Sequence, residues 1–322
     1  MKHPHFTPDA PIKRNSMTTA TADDANEHAS NLTNWEQCYD QISSGQFHGS
    51  ITEIAFNGLQ VFHEFTSHQL HQNCNVWPDS IWLGIAANKG SDSRINGISL
   101  GDNDLMCRPG NREFELITPQ NHDIYGIVVR KEEMMCSADS QGMDINWSDF
   151  ATYERLAIPE SFMANLRFLL HRLLRETTVL PGAKLQQDII TMALLEILQS
   201  QQPCAETAQS YTRRKQVVDR ITDYLEANKD RPIQITELCK AVGASRRTLQ
   251  YSFESIVGIS PIQYLRATRL NGARRSLLVA RAETTVADVA ADWGFLHLSQ
   301  FTKDYRELFG ERPSETRERW AA

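Results

Sequence analysis

Two short segments of the chain place polar side chains at the start of a predicted helix, just after a glycine turn. Guanidinium, amide and hydroxyl groups are the ones that read base edges in the major groove of DNA, and ammonium groups bind its phosphates. The two segments therefore predict nucleic-acid recognition rather than bond-making chemistry. The candidate residues are Ser245, Arg246, Arg247, Gln250 and Tyr251 in the first segment, and His297, Leu298, Ser299, Gln300 and Lys303 in the second.

The first segment has the pattern of two helices joined by a tight turn. Leu238 and Val242 share one face of a short helix that ends at Gly243, a residue able to take the left-handed conformation. Ser245 is placed to cap the next helix, in which Leu249 and Phe253 face the core. This spacing predicts a helix-turn-helix whose second helix fits a major groove. We call residues 236–253 the first unit.

The same pattern recurs over residues 285–305, which we call the second unit, and its turn glycine lies fifty-one residues after Gly243. Thr285 and Asp288 have the spacing of a capping box, and Gly294 occupies the turn. Phe301 and Tyr305 repeat the inward-facing pair. The chain therefore contains two predicted helix-turn-helices in tandem.

A long helix is predicted between the two units. Ser260 and Pro261 form an N-cap followed by proline in the first turn, and apolar residues then recur at helical spacing from Ile262 to Leu278. A helix of this length spans roughly 25 Å. It can therefore hold two recognition helices about one DNA turn apart, roughly 34 Å, on one face of the duplex.

This tandem arrangement resembles the AraC/XylS family of bacterial transcription regulators over residues 213–320. The resemblance implies a regulator, here an activator, that binds double-stranded operator DNA and acts with RNA polymerase. It also implies that the protein is not an enzyme. The residues that carry it are Leu249, Phe253, Gly258, Ser260, Pro261, Arg269, Ala273, Leu277, Gly294, Phe295, Phe309 and Gly310.

The distribution of charge also separates the C-terminal third from the rest of the chain. The 322 residues carry a formal net charge of −7, yet residues 211–322 contain 19 Lys and Arg against 14 Asp and Glu. A basic C-terminal third favours a polyanionic partner. No apolar run approaches the roughly 18 residues of a membrane span, and the first thirty residues lack the apolar core of a signal peptide. We therefore expect a cytoplasmic protein.

The N-terminal two thirds predict a different kind of fold. Short β-prone runs, with a hairpin signal at Asn57-Gly58, extend to about residue 130, and two amphipathic helices follow from Pro159. The expected fold class is α+β, with an antiparallel, cupin-like β-barrel and a helical hairpin preceding the all-α tandem domain. The expected division is a disordered tail over 1–32, a ligand-sensing domain over 33–200, a linker over 201–212 and the DNA-binding domain over 213–322.

The N-terminal part is similar to a group within that family, the regulators of ethanolamine-utilisation operons. This resemblance implies a response to ethanolamine, with adenosylcobalamin as a co-effector and no covalently bound cofactor. The segments that carry it are 35–37 with 39–41, 46–49, 76–78, 82–85, 108–110, and 113–116 with 118–119.

An ammonium ligand suits a pocket of aromatic faces and carboxylates. The barrel-strand candidates are Trp77, Trp82, Glu113, Glu115 and Tyr125, and the alternative for each of them is ordinary barrel core.

The sequence allows two other hypotheses for the function of the N-terminal domain. The effector could be another small metabolite, or the barrel could be a metalloprotein domain in which His63, His68 and His71 cluster. The His63-Glu64 segment fails the zinc-protease spacing by one residue and lies in a predicted strand, so we expect no metal site. A homodimer is possible, because the helical hairpin carries surplus apolar surface.

Overall fold

The computed structural model describes residues 17–175, 182–201, 209–281 and 283–320. Its N-terminal part has three layers: a five-stranded antiparallel sheet, a seven-stranded antiparallel sheet and a layer of helices. Its C-terminal part is all helical. The mixed α+β class that the sequence predicts is confirmed.

The seven-stranded sheet is the middle layer, in the strand order β1-β3-β4-β11-β6-β9-β12. The predicted hairpin at Asn57-Gly58 joins β3 to β4, and Gly58 takes a positive φ of 68° in its turn. The strands are β1 (Met17–Ala22), β3 (Gly49–Ala55), β4 (Leu59–Thr66), β6 (Ser80–Ala86), β9 (Asp104–Pro109), β11 (His122–Arg130) and β12 (Arg155–Ala157).

The five-stranded sheet, in the order β2-β5-β10-β7-β8, covers one face of the larger sheet. Its other face lies against the C-terminal helices, where Ile117 joins the core of the first unit. The strands are β2 (Glu36–Gln41), β5 (Leu70–Asn75), β7 (Arg94–Ile95), β8 (Ile98–Ser99) and β10 (Phe114–Thr118).

Strand β6 shows why the middle sheet is nearly continuously apolar. Ile81, Leu83 and Ile85 face the helical layer, whereas Trp82 faces the smaller sheet and stacks on Phe114 at 4.6 Å between ring centroids. Because successive strand residues point to opposite faces and both faces are covered, every position from Ile81 to Ile85 is buried.

The helices of the N-terminal part cover the outer face of the larger sheet, and those of the C-terminal part form the tandem units. The predicted amphipathic helices correspond to α4 and α5, which contribute buried leucines to the core on that sheet. The N-terminal helices are α1 (Ala25–Ala29), α2 (Lys131–Ser140), α3 (Asp149–Thr152), α4 (Glu160–Arg175) and α5 (Ala183–Ser200). The C-terminal helices are α6 (Gln209–Ala227), α7 (Ile235–Val242), α8 (Arg246–Ile256), α9 (Pro261–Leu278), α10 (Val286–Asp292), α11 (Leu298–Phe309) and α12 (Pro313–Trp320).

The predicted disordered tail is wrong for residues 17–32. Strand β1 pairs with β3 along its whole length, and Asp24 caps α1 by accepting bonds from the amides of Asn26 and Glu27. The partners of this segment lie far along the chain, so its polar composition did not reveal them. Residues 1–16 lie outside the described residues.

The predicted barrel and the predicted linker both differ from the structure. The sheets form two separate ladders and do not close on each other, so a barrel is not confirmed. The predicted linker over 201–212 is helical from Gln209, where α6 begins, and residues 202–208 lie outside the described part of the chain.

Candidate nucleic-acid interface

The first unit is built as the spacing predicts. Gly243 ends α7 with a φ of 65°, and Ser245 caps α8 by accepting a bond from the amide of Thr248 at 3.1 Å. Leu249 and Phe253 are fully buried. With its inner face fixed in the core, α8 must turn its polar side chains toward solvent.

The second unit repeats the arrangement on α10 and α11. Thr285 and Asp288 form both bonds of the predicted capping box, and Gly294 makes the turn at a φ of 73°. Phe301 and Tyr305 are fully buried. The inward-facing pairs of both recognition helices are therefore confirmed.

Helix α9 joins the two units through their cores. Tyr264, near its start, packs in the core of the first unit, whereas Leu270, Ala273 and Leu277 pack in the core of the second. Ser260 and Gln263 form a complete capping box, and proline follows the cap. A helix of 18 residues spans about 27 Å, which is comparable with the roughly 34 Å of one DNA turn.

Close packing of α10 against α9 fixes the second unit further. A Cβ at Gly272 would lie 2.2 Å from the ring of Trp293, so only glycine fits there. The indole nitrogen of Trp293 donates to the Ser276 hydroxyl at 2.9 Å. These contacts join the second unit closely to the long helix.

All ten candidate DNA-binding residues are exposed. Several are held in place by neighbours: Gln250 donates to Glu254 at 2.6 Å, and Gln300 donates to Asp304 at 2.5 Å. The guanidinium of Arg214 lies over the Tyr251 ring, 5.3 Å from its centroid. Their role in DNA binding stays a prediction.

The C-terminal domain is docked on the N-terminal domain through polar contacts that the sequence analysis missed. The Asn271 side chain and the Gln41 backbone exchange two hydrogen bonds of 2.9 Å. Next to this pair, Arg275 bonds Asp40 at 2.6 Å. The signal in the sequence was the spacing of Asn271, Arg274 and Arg275, which lie three and four residues apart and so share one side of α9.

Arg274 lies at the centre of this interface. Its guanidinium bonds Asp24 of the N-terminal segment and lies 2.8 Å from Glu311, and it stacks on Phe309. Arg274 is 4% exposed and Asp24 is 1% exposed. Burial alone would raise the pKa of Asp24, but the charge and hydrogen bond of Arg274, with two backbone amides, outweigh it and hold the pKa below its usual value.

A cleft of about 640 Å³ lies between α6 and the outer face of the smaller sheet. Lys215 of α6 spans it and bonds Glu115 at 3.0 Å, and it also bonds Asp219. Burial raises the pKa of Asp219 above its usual value even though Lys215 opposes the shift. The charged side chains of the cleft are Glu113, Glu115, Glu154, Asp219 and Asp223, against Arg108, Arg112 and Lys215.

The five ligand-binding candidates do not form one pocket. Glu113 and Glu115 line the interdomain cleft, but Trp82 lies between the two sheets and Tyr125 lies under the helical layer, 3.3 Å from a nitrogen of His171. Trp77 is half-buried at the edge of the inner core. A strand has two faces, and these residues lie on different ones, so the sequence alone could not group them correctly.

The three histidines of the alternative metalloprotein hypothesis also lie apart from one another. His63 bonds Asp123 at 2.8 Å on the larger sheet, His68 bonds Ser67 at 2.8 Å, and His71 lies 4.0 Å from Glu115. In the part of the chain that the structure describes, no three His, Cys, Asp or Glu side chains lie together as metal ligands do.

Comparisons with known proteins agree with this geometry. Residues 238–319 match the family described as a helix-turn-helix domain. A probable thc operon regulatory protein of Rhodococcus erythropolis is 38% identical over 100 residues, which are 31% of this chain and 30% of that protein. The XylDLEGF operon transcriptional activator 2 of Pseudomonas putida is 33% identical over 129 residues, which are 40% of this chain and 80% of that protein.

A solved structure is also similar to part of this chain. A probable AraC family transcriptional regulator from Rhodopseudomonas palustris is 37% identical over 33% of this chain and 99% of that chain, with a TM-score of 0.31. The match spans only 30% to 39% of the length of the first curated relatives.

The tandem units define a helix-turn-helix DNA-binding protein. The chain belongs to the AraC/XylS family of transcription regulators, because it covers most of the Pseudomonas putida activator at this level of identity. Its relatives regulate transcription, and such proteins are generally not enzymes. Within the described residues, no helix is long and apolar enough to cross a membrane.

Proposed function

We propose that this chain activates transcription by placing both recognition helices in successive major grooves of one operator and contacting RNA polymerase. The observation that carries the proposal is that α8 and α11 bury one face and expose the other, while α9 belongs to both cores. A gel-shift selection from random duplex DNA tests it. A selected operator should contain two boxes about 10 base pairs apart.

We propose further that the effector is ethanolamine, with adenosylcobalamin as a non-covalent co-effector. Support comes from the resemblance of the N-terminal segments and from the cleft, whose five carboxylates exceed its three cationic side chains. A cleft of this size is in the range that small-molecule sites occupy. An ammonium group bound there would contact both domains and so bias how they dock.

Neutralising two carboxylates of the cleft should weaken the ethanolamine response. Glu113→Gln and Asp223→Asn change exposed side chains, so they should leave folding and operator binding intact. A reporter strain carrying both substitutions should need about tenfold more ethanolamine, since a charged hydrogen bond contributes about 1.5 kcal/mol or more. The measurement is the reporter dose response.

Glu132→Gln is the matched control, because it removes one exposed carboxylate from α2, outside the cleft. An unchanged dose response in the Glu113→Gln, Asp223→Asn variant would remove the cleft from the mechanism. A wild-type protein that does not respond to ethanolamine, with or without adenosylcobalamin, would remove the effector itself.

The C-terminal fragment 209–322 should fold and bind the same operator. Its two apolar cores come almost entirely from its own helices. Because phosphate contacts release counterions, its affinity should fall steeply as salt rises. Gel shifts at salt concentrations between about 50 and 200 mM measure this dependence. With several phosphate contacts, the affinity should fall by about 10³-fold over that range. An unfolded fragment, or binding that ignores salt, contradicts the proposed domain division.

A homodimer is the proposed assembly. Phe168 on α4 and Leu185 and Ile189 on α5 are exposed large apolar side chains on the helical layer. They support an association of two copies through these helices, which sedimentation of the full chain would detect.

A further inference from the structure

The two recognition helices share one scaffold but present different chemistry at matching positions. Leu249 in α8 and Phe301 in α11 are both fully buried at the fourth helical position. This match aligns Arg246 with Leu298, and Arg247 with Ser299. The first unit therefore presents two guanidinium groups where the second presents an isobutyl group and a hydroxyl group.

Leu298 does not pack in the core of its unit. It is 46% exposed as the first residue of α11, and Leu296 just before it is 75% exposed. In contrast, the apolar residues that hold α11 in place are buried. An apolar side chain at the groove-facing end of a recognition helix points to an apolar partner on the DNA.

Base edges in the major groove offer one apolar group, the C5-methyl of thymine. Guanine offers the O6 and N7 acceptors that suit an arginine fork. Arg246 and Arg247 are exposed and stand at the N-terminal end of α8, where recognition helices contact bases. The matched positions of the two helices are therefore complementary to different bases.

We infer that the second unit selects a thymine through Leu298 and that the first unit selects guanine through Arg246 and Arg247. This inference rests on the proposed operator binding by both units. It makes the operator asymmetric: one box contains the required guanine, and the other, about one helical turn away, contains the required thymine.

Base analogues test this assignment one atom group at a time. Uracil replaces thymine and removes only the methyl group, and deazaguanine removes only the N7 acceptor. On the operator selected by the wild-type protein, one uracil in the second box should weaken binding about fourfold, the effect of one buried methylene-sized group. Deazaguanine in the first box should weaken binding about fivefold or more.

The variants locate each effect. Leu298→Ala should lose the same fourfold on thymine and become insensitive to uracil, and Arg246→Ala with Arg247→Ala should become insensitive to deazaguanine. Val279→Ala, which shortens an exposed apolar side chain after α9, is the control and should keep both sensitivities.

Four results would overturn the inference while leaving the proposed operator binding intact. They are a second box without thymine, wild-type binding that neither analogue weakens, a uracil effect that persists in Leu298→Ala, and a deazaguanine effect that persists in the double arginine variant. If the wild-type protein selects no sequence at all, the proposed operator binding fails and the inference fails with it.

Discussion

Arg274→Met should lower the free energy of unfolding of the full chain by about 3–5 kcal/mol. Methionine has nearly the length of the arginine side chain but no charge, so the buried carboxylate of Asp24 loses its cation, whereas Glu311 keeps its ion pair with Arg319. Asp24 is 1% exposed, so water cannot compensate its charge. Urea unfolding followed by circular dichroism measures the change.

Two comparisons make this result specific. Arg281→Met removes an exposed arginine just after α9 and should change stability by less than about 0.5 kcal/mol. Adding Asp24→Asn to Arg274→Met should recover part of the loss, because asparagine can still cap α1 while removing the buried charge. Equal stability of Arg274→Met and the wild-type protein would mean that the interface contributes little.

The stabilisation by Asp24 should also depend on pH. Its pKa in the folded protein lies below the value of about 3.9 for an unperturbed aspartate, so the deprotonated form favours folding. The contribution is complete above that unperturbed value and is lost as pH falls through the lower pKa of the folded state. The difference between wild-type and Asp24→Asn proteins should therefore be constant from neutral pH to about pH 5 and shrink below about pH 4.

Arg247→Ala and Gln300→Ala should each weaken binding to the selected operator by about five- to 150-fold, the effect of losing a base contact of about 1–3 kcal/mol. Both side chains are exposed, one on each recognition helix, so neither substitution removes core packing. Gel shifts with the full chain measure the affinities, and thermal unfolding confirms that the variants fold.

Ser314→Ala is a suitable control for these two variants. It changes an exposed polar residue on α12, away from both recognition helices, and should bind as the wild-type protein does. Wild-type affinity in both Arg247→Ala and Gln300→Ala would remove these helices from base recognition. A loss in only one of them would mean that a single unit contacts bases.

The sequence predicted those parts of the structure that depend on local spacing. Leu249 with Phe253, and Phe301 with Tyr305, lie four residues apart on helices and are buried as expected. The glycine turns and the caps follow from backbone geometry within a few residues, so they too could be recognised.

The parts that could not be predicted depend on contacts between distant residues. Nothing near Asp24 indicates that Arg274, 250 residues away, will bury it. In the same way, the strand pattern assigns Glu115 to one face of the smaller sheet, but what covers that face depends on where α6 docks. A strand pattern states which residues share a face and not what covers that face.

The spacing of the operator boxes tests the central claim most directly, namely that α9 holds two recognition helices rigidly on one face of DNA. The measurement is the affinity of the wild-type protein for its selected operator with about five base pairs inserted between the boxes, half a helical turn. We expect affinity to fall to that of an operator with a single box, because the cores on both ends of α9 prevent the second unit from following the rotated groove. Unchanged affinity for the lengthened operator would contradict the account.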